Sequence, residues 1–545
     1  MKNQKPDVNN SESVELNFHD LNAGDRDLVK SMVRTGWSRR NVLKLAAATG
    51  VTMATAKNLL GSGASAVAQT PQKGGSVRVA CDLHGPNDQL DPIRFTGAND
   101  YIRGRTLYNN LCQLDDKLIP QSELAVSFSP NKNATEWTFN LRKNVQFHDG
   151  SPFTADDVVW SMNRHLGDES TSVLKSVFSS VKEWKKISQY EVKAILNSPN
   201  ADLPVLTGLF QSKIVKVGST GGGIGTGPFV LEQFEPGVKT VSVRNEDYWR
   251  NPANLDSLEV TAITDPVARV NALLAGDVQM MVNVDPKSIK QIEGSDRVNL
   301  VSIPSGAYNG ICALKNSKPG ESHDFVKGLQ YIQDRERIVS KILKGHGSVG
   351  NDQPITSAYG TDWCGDLAQR EYDPDKAKYH FKKSGYESAE LFVAPVSPGI
   401  EDMCLLAQAN CAKIGFNLNI KKVPNDGYWG SVWRVEPLNV TAWNMRPTAN
   451  SMLSVAFAPG AAWNDTYWDN ERVGKLLKMS LAEIDVSRRK EMYCEIQQLI
   501  NEHSGMVIPA HKNVLDGVSS TIMGMPKNPL GTLGASEFPE FIWLA

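Results

Sequence analysis

Residues 147–164 read FHDGSPFTADDVVWSMNR and gather His148, Asp149, Asp156 and Asp157 next to Trp160. A histidine with three carboxylates is a set that could bind a metal or move a proton. The spacing argues against both. A zinc-type pair needs ligands one helical turn apart or a second cluster elsewhere, and His148 has neither. Thr154 with Asp157 three positions on, ahead of apolar Val158, Val159 and Met162, has instead the S/T-x-x-D/E form of a helix start. A carboxylate there meets unpaired backbone N–H groups and the positive end of the helix dipole, and Asp156 falls in the same first turn. His148-Asp149-Gly150-Ser151-Pro152 is turn composition leading into that helix. The stretch is expected to be scaffold.

Other catalytic signatures are missing. The chain has no G-x-S-x-G, no H-E-x-x-H and no G-x-x-x-x-G-K-[ST], and its 9 histidines are scattered. GGGIGTGPF (221–229) has the look of a phosphate-cradling loop. It does not match G-x-G-x-x-G, however, and Pro228-Phe229-Val230 leads into a strand, so a tight glycine turn is expected. The residues better suited to chemistry of the binding kind are aromatic and amide. NDGYWGSVWRVEPLNVTAWNMRPTANSM (425–452) and APGAAWNDTYWDN (458–470) hold five of the 12 tryptophans, among amides, an arginine, Gly and Pro. Aromatic faces with a few polar groups are what a small-molecule pocket uses.

The elements that would position such a pocket alternate. EWTFNLRK (136–143) and KTVSVRNEDYW (239–249) show the apolar/polar alternation of half-buried strands. QDRERIVSKILKG (333–345) places Ile338, Val339, Ile342 and Leu343 on one helical stripe, with Gly345 as the stop. In YDPDKAKYHFKKSGY, Asp373 is the expected cap, Pro374 the first helical residue and Gly385 the end. SRRKEMYCEIQQLINEHSG carries Met492, Tyr493, Ile496, Leu499 and Ile500 at helical spacing. Mixed strands and helices over this length imply an α/β fold.

With 545 residues, 41% hydrophobic and a net charge of −2, the chain can bury two sizeable cores. The charge gives no reason to expect a nucleic acid partner. Only the N-terminus departs from globular composition. Residues 1–36 are polar; then Arg39-Arg40 precede an Ala-rich, weakly apolar run that closes on Ala66-Val67-Ala68. Twin arginines, a short apolar region and an A-x-A site describe a twin-arginine export signal over 1–68, with the mature chain starting near Gln69. Leu45–Ala56 is too short to span a bilayer. All 7 cysteines follow the cut, none in a C-x-x-C. An odd number leaves at least one thiol unpaired. Cys404 and Cys411, on one helical face, read as small buried apolar residues. Cys81 lacks the preceding apolar stretch of a lipid-anchor cysteine.

Together these segments resemble the dipeptide/oligopeptide/nickel class of periplasmic solute-binding proteins, family 5, the receptors of ABC importers. LRKNVQFHDGSPFTADDVVWSMNR is similar to the family signature nearly residue for residue. GTGPFVLEQFEPGVKTVSVRNEDYW, VNALLAGDVQMM, QDRERIVSKILKG, YDPDKAKYHFKKSGY and LAQANCAKIGFNLNIKKV follow in the family's order. The resemblance implies a two-lobed periplasmic-binding-protein fold with the ligand between the lobes. Lobe I would comprise 73–311 and 510–545, with an extra subdomain near 112–228, and lobe II 312–509. It implies a monomeric binding protein rather than an enzyme, which closes on a small solute and hands it to an ABC permease and its ATPase; no His pair marks a metal site, and no cofactor is expected. An exported enzyme or chaperone-like protein on the same scaffold is the alternative function. An oligosaccharide or a metal chelate is the alternative to a peptide-like ligand. Peptide-binding members carry an acid a few residues after a tryptophan to hold the peptide amino group. Here Trp443-Asn444-Met445-Arg446-Pro447 puts an arginine in its place. The loop APVSPGIEDM (394–403) lacks the arginine that dipeptide-type members use for the peptide carboxylate. The candidate ligand-contacting set is Arg446, Trp443, Asn444, Trp463, Tyr308 and His84, with an anionic ligand group expected at Arg446.

Overall fold

The computed structural model describes residues 71–82 and 88–545; the expected export signal (1–68) and His84 lie outside them. The chain opens with strand β1 (Ser76–Cys81) and helix α1 (Ala98–Leu107). A separate antiparallel sheet follows, built from β2 (Ala125–Pro130), β3 (Glu136–Leu141), β4 (Val181–Ser188) and β5 (Glu191–Leu196) in the spatial order β2-β3-β5-β4. Its concealed face packs Trp137, Phe139, Leu141 and Trp184 against Val158 and Met162 of α2 (Ala155–Asn163). The alternation read from EWTFNL is therefore the inside and outside of one strand.

The chain then returns to a larger sheet through β6 (Phe229–Glu235), β7 (Lys239–Arg244), β8 (Ser257–Ala262), α3 (Pro266–Ala275), β9 (Met280–Met281) and the long β10 (Val298–Ala313). Next come α4 (His323–Tyr331), α5 (Pro374–Ser384), β11 (Ser388–Val393), α6 (Ile400–Lys413), β12 (Asn417–Lys422) and β13 (Leu438–Trp443). Three helices, α7 (Ala449–Phe457), α8 (Glu471–Ala482) and α9 (Val486–His503), lead into the second long strand, β14 (Met506–Ser519).

Local chemistry explains the helix ends. Asp373 accepts from the Lys376 N–H, Pro374 opens α5, and Gly385 closes it at φ 80°. Residues 333–345 wind differently from the α-helix expected. After one α turn at Arg335–Arg337, Ile338–Ile342 is π-helical, because the Leu343 N–H donates to the Ile338 carbonyl, 2.9 Å away, rather than one residue nearer. The stripe still works: Ile338 and Leu343 are buried, with Val339 and Ile342 packed at the core's edge.

The large sheet has 11 strands, in the order β12-β11-β13-β10-β14-β9-β1-β8-β7-β6, with Gly347–Val349 added on β14. Two antiparallel strands, β10 and β14, hold its halves together. The first part of β10 pairs Val298–Ile303 with Ser519–Val514. Its later part pairs with β13, Tyr308 to Trp443 through Ala313 to Leu438. The β10/β14 register shifts between Ile303 and Ala307 and again between Asn309 and Ile311. Helices cover both faces of each half. In one half the two cores lie around Phe325, Leu391 and Val440, and around Trp443, Leu453 and Ile496. Cys364 and Cys494 form a disulfide, and the other cysteines, Cys404 and Cys411 among them, are buried thiols. Among the described residues no helix is long and apolar enough to cross a membrane.

Candidate ligand-binding site

The strand directions define a crevice before any side chain is considered. β13 runs antiparallel to β10 and parallel to β11, so both end where β10 crosses between the halves. From the other half, β9 is antiparallel to β14 and parallel to β1, which is parallel to β8, so these three also end at the crossing. In each half, neighbouring parallel strands send their chains to opposite faces. β11 leads to α6 on the face of Leu391, and β13 to α7 on the face of Trp443. β1 leads to α1 beside Val79, and β8 to α3 beside Met281. A divergence of this kind leaves a gap beyond the carboxyl ends, where open α/β sheets take their ligands. Here two such gaps face each other across β10 and β14.

Trp443 ends β13 at the crossing, 6% exposed, and its indole N–H donates to Asp465 Oδ2 at 2.8 Å. Asp465 is fully buried and also accepts from Trp433 Nε1 (2.7 Å) and Thr441 Oγ1 (3.0 Å). One carboxylate thus fixes two indoles. Burial pushes its pKa up to about 6, against the pull of those three donors. Trp463 lies 6.1 Å from Trp443, ring centre to ring centre, and remains half exposed. The Arg446 guanidinium sits over the Trp443 ring, 5.3 Å from its centre. Its backbone N–H donates to the Tyr359 hydroxyl at 3.2 Å.

No carboxylate pairs with Arg446 among the described residues. Its electrostatic neighbours are three tyrosines, Tyr359, Tyr308 and Tyr101, and burial lowers its pKa. Arg335 and Arg370 reach Asp352, and Arg105 reaches Glu537, while buried Arg269 donates only to the carbonyls of Ile263, Thr264, Val282 and Asn283. Tyr101 belongs to α1 in the opposite half and stacks on Phe210 at 4.1 Å. Tyr308 is fully buried, edge-on to His511, and its hydroxyl has no hydrogen-bond partner among the described residues. Asn444 is exposed. The structure therefore groups Arg446, Trp443 and Trp463, sets Tyr308 behind them in the core, and leaves Asn444 at the rim. Sequence reasoning missed Tyr101, Tyr359 and Asp465. Asp465 lay inside the quoted WNDTYW, but only the fold brings it to Trp433 and Trp443.

The stretch at 147–164 has a different role. Thr154 caps α2 by accepting from the Asp156 N–H, and Asp157 accepts from the Thr154 N–H at 2.8 Å and from the Val217 N–H at 2.9 Å. His148 clamps the glycine loop: Gly225 N–H donates to Nδ1 (3.2 Å), leaving Nε2–H to donate to Gly227 O (3.1 Å). Burial lowers its pKa and keeps it neutral. A Cβ on Gly225 would lie 2.0 Å from the Leu107 carbonyl oxygen, so these glycines serve close backbone approach. Among the described residues no group of three or more His, Cys, Asp or Glu could hold a metal.

Two α/β halves joined by two long strands, with a crevice at facing switch points, define a two-lobed solute receptor. The model of bacterial extracellular solute-binding proteins, family 5, middle region, matches residues 120–468, and the chain belongs to that family. It is the solute-binding component of an ABC-type importer. It is 25% identical over 499 residues to the dipeptide-binding protein of Escherichia coli, covering 82% of this chain and 91% of that one. Among solved structures, HbpA2 from Haemophilus parasuis superimposes with a TM-score of 0.76 at 22% identity, over 86% of this chain and 100% of the other. AgaA from A. tumefaciens R10, solved with agropinic acid, gives 0.69 at 21% identity, over 86% and 99%.

Proposed function

We propose that this receptor captures a small organic solute with an anionic group, held by Arg446 and flanked by the Trp443 and Trp463 rings. The observation that carries this reading is a partly buried guanidinium, just past the carboxyl end of β13, with no acidic partner among the described residues. Its planar fork suits a carboxylate or phosphate. The relatives named for dipeptides make a peptide-like solute one candidate, and agropinic acid in AgaA is a precedent for a non-peptide organic acid. An arginine where peptide receptors carry an acid disfavours an ordinary free peptide amino group there. The protein binds and delivers without turnover, as a monomer, with no nucleic acid partner, in the periplasm after twin-arginine export and cleavage near Ala68. Lobe I is assigned to 73–311 and 510–545, with its subdomain near 112–228, and lobe II to 312–509. The register shifts in β10 and β14 support bending there as the lobes close.

The test uses solute that co-purifies with the exported protein, identified by native mass spectrometry and titrated back by calorimetry. A charge-assisted hydrogen bond is worth about 1.5–3 kcal/mol, so Arg446→Ala should weaken binding about ten- to a hundredfold. The melting temperature without ligand should barely change. Unchanged affinity with a collapsed melting temperature would make Arg446 a structural residue and overturn the proposal.

A further inference from the structure

A second cation stands at the same crevice. Lys512 lies on β14 opposite Ala307, between the two register shifts of the crossing. Its ammonium donates to Asn309 Oδ1 at 2.9 Å and to Ser397 Oγ at 2.6 Å. Ser397 belongs to the loop leaving the carboxyl end of β11. Asn309, 5% exposed, donates in turn from Nδ2 to Pro398 O at 2.9 Å, fixing the same loop. Lys512 therefore stands beside the gap on the face of α6, and Arg446 on the face of α7. The two cations flank the switch point from opposite sides.

The surroundings of Lys512 are unlike those of comparable lysines. Lys327 pairs with Glu502 at 2.7 Å. Lys213 has Glu123 and Glu537 as neighbours, and Lys315 has Glu321. Lys512 has only neutral partners among the described residues, and burial alone pushes its pKa down to about 8. A partly buried charge without a counter-ion is costly. An ammonium carries three N–H donors, and two neutral acceptors leave one donor to offer.

We infer that Lys512, held by Asn309 and Ser397, receives a second oxyanion of the ligand, so that the receptor selects solutes with two anionic groups, one at each end. This rests on the assignment of Arg446 to the first group.

The test uses matched probes on the full exported protein, unfolded and refolded to remove endogenous solute. N-succinyl-, N-glutaryl- and N-adipoyl-phenylalanine, which carry a carboxylate at each end, are compared with the terminal ω-amide of each, so that a pair differs by one charge. At least one dianion should bind ten- to a hundredfold more tightly than its amide. Lys512→Met should erase that difference, and Lys512→Arg should keep part of it. Arg446→Gln should weaken both members of the pair. The unliganded melting temperature of Lys512→Met should hold or rise, because an unpaired charge is removed; a marked fall would mean that the lysine is structural and would overturn the inference. So would a preference that survives Lys512→Met, or a series in which no dianion outbinds its amide. If Arg446→Gln leaves both members unaffected while Lys512→Met acts, the Arg446 assignment fails instead.

Discussion

Replacing Asp465 by asparagine separates the two roles of that carboxyl, as acceptor for two tryptophans and as a buried charge. Its two oxygens serve Trp433, Thr441 and Trp443 from a fully buried position. An asparagine oxygen can keep one side of this set, but its NH2 then meets an indole N–H, donor against donor. A buried donor left unsatisfied costs about 1–3 kcal/mol. Against this stands the charge. The pKa rises from 3.8 to about 6, chiefly because burial disfavours the ionised form. At about 1.4 kcal/mol per tenfold, that is about 3 kcal/mol. Between those two values the folded chain binds more protons than the unfolded one, so raising the pH lowers stability, and above about 6 the loss is complete. The variant lacks this dependence. The wild type should therefore exceed it by about 1–3 kcal/mol near pH 4, and the gap should close or reverse by pH 7. Urea unfolding across that range, followed by tryptophan fluorescence, gives the difference curve. Asp362 and Asp516, both also raised to about 7 by burial, are present in both proteins and cancel. A gap that widens as the pH rises would refute the reasoning, because the ionised carboxylate would then be the stabilising form.

Export gives a second test: with Arg39 and Arg40 both changed to lysine, the precursor should stay inside the cell, whereas unimpaired export, or periplasmic protein starting at Met1, would exclude the twin-arginine route. The disulfide is tested by thiol counting. Under denaturing, non-reducing conditions only Cys81, Cys112, Cys312, Cys404 and Cys411 should titrate, and Cys494→Ser should lower stability by about 2–5 kcal/mol.

What could be read from the sequence was local. Thr154 with Asp157, and Asp373-Pro374 with Gly385, carry their own boundary chemistry within a few residues, and both helices start where the residues say. The same applies to Trp443, the last residue of β13, and Arg446, three residues further on. Residues joined only by sheet pairing carried no such signal. Lys512 and Asn309 are far apart in sequence and meet because β10 and β14 run antiparallel. Tyr101 nears Arg446 only when the halves are brought together. Cys364 and Cys494, 130 residues apart, offered no spacing cue. The winding of 338–342 was also hidden, because an apolar stripe specifies a face more strongly than it specifies i+4 against i+5 bonding.

The contact between the halves is not left to the ligand alone. Arg489 of α9 reaches Asp202, beside the four-stranded sheet, at 3.5 Å, and Asp362 at 3.8 Å. Nearby, the Ala201 N–H donates to the Leu481 carbonyl at 2.8 Å. Two buried carboxylates here share one guanidinium, and both have raised pKa values, Asp362 to about 7. Burial disfavours charging both carboxyls beside one guanidinium, and Arg489 Nε and Asp362 Oδ1 have no hydrogen-bond partner among the described residues, so this contact is a weak fastening at neutral pH. Weakness suits a receptor that must reopen. A contact that held the halves together unaided would leave an incoming ligand little differential affinity between open and closed states, and only that difference can shift the population. The unpaired cations at the crevice act in the opposite sense. On the proposed assignment, Arg446 and Lys512 are costly to desolvate while empty and would be compensated by the solute's oxyanions, so the free energy that favours closure would enter with the solute.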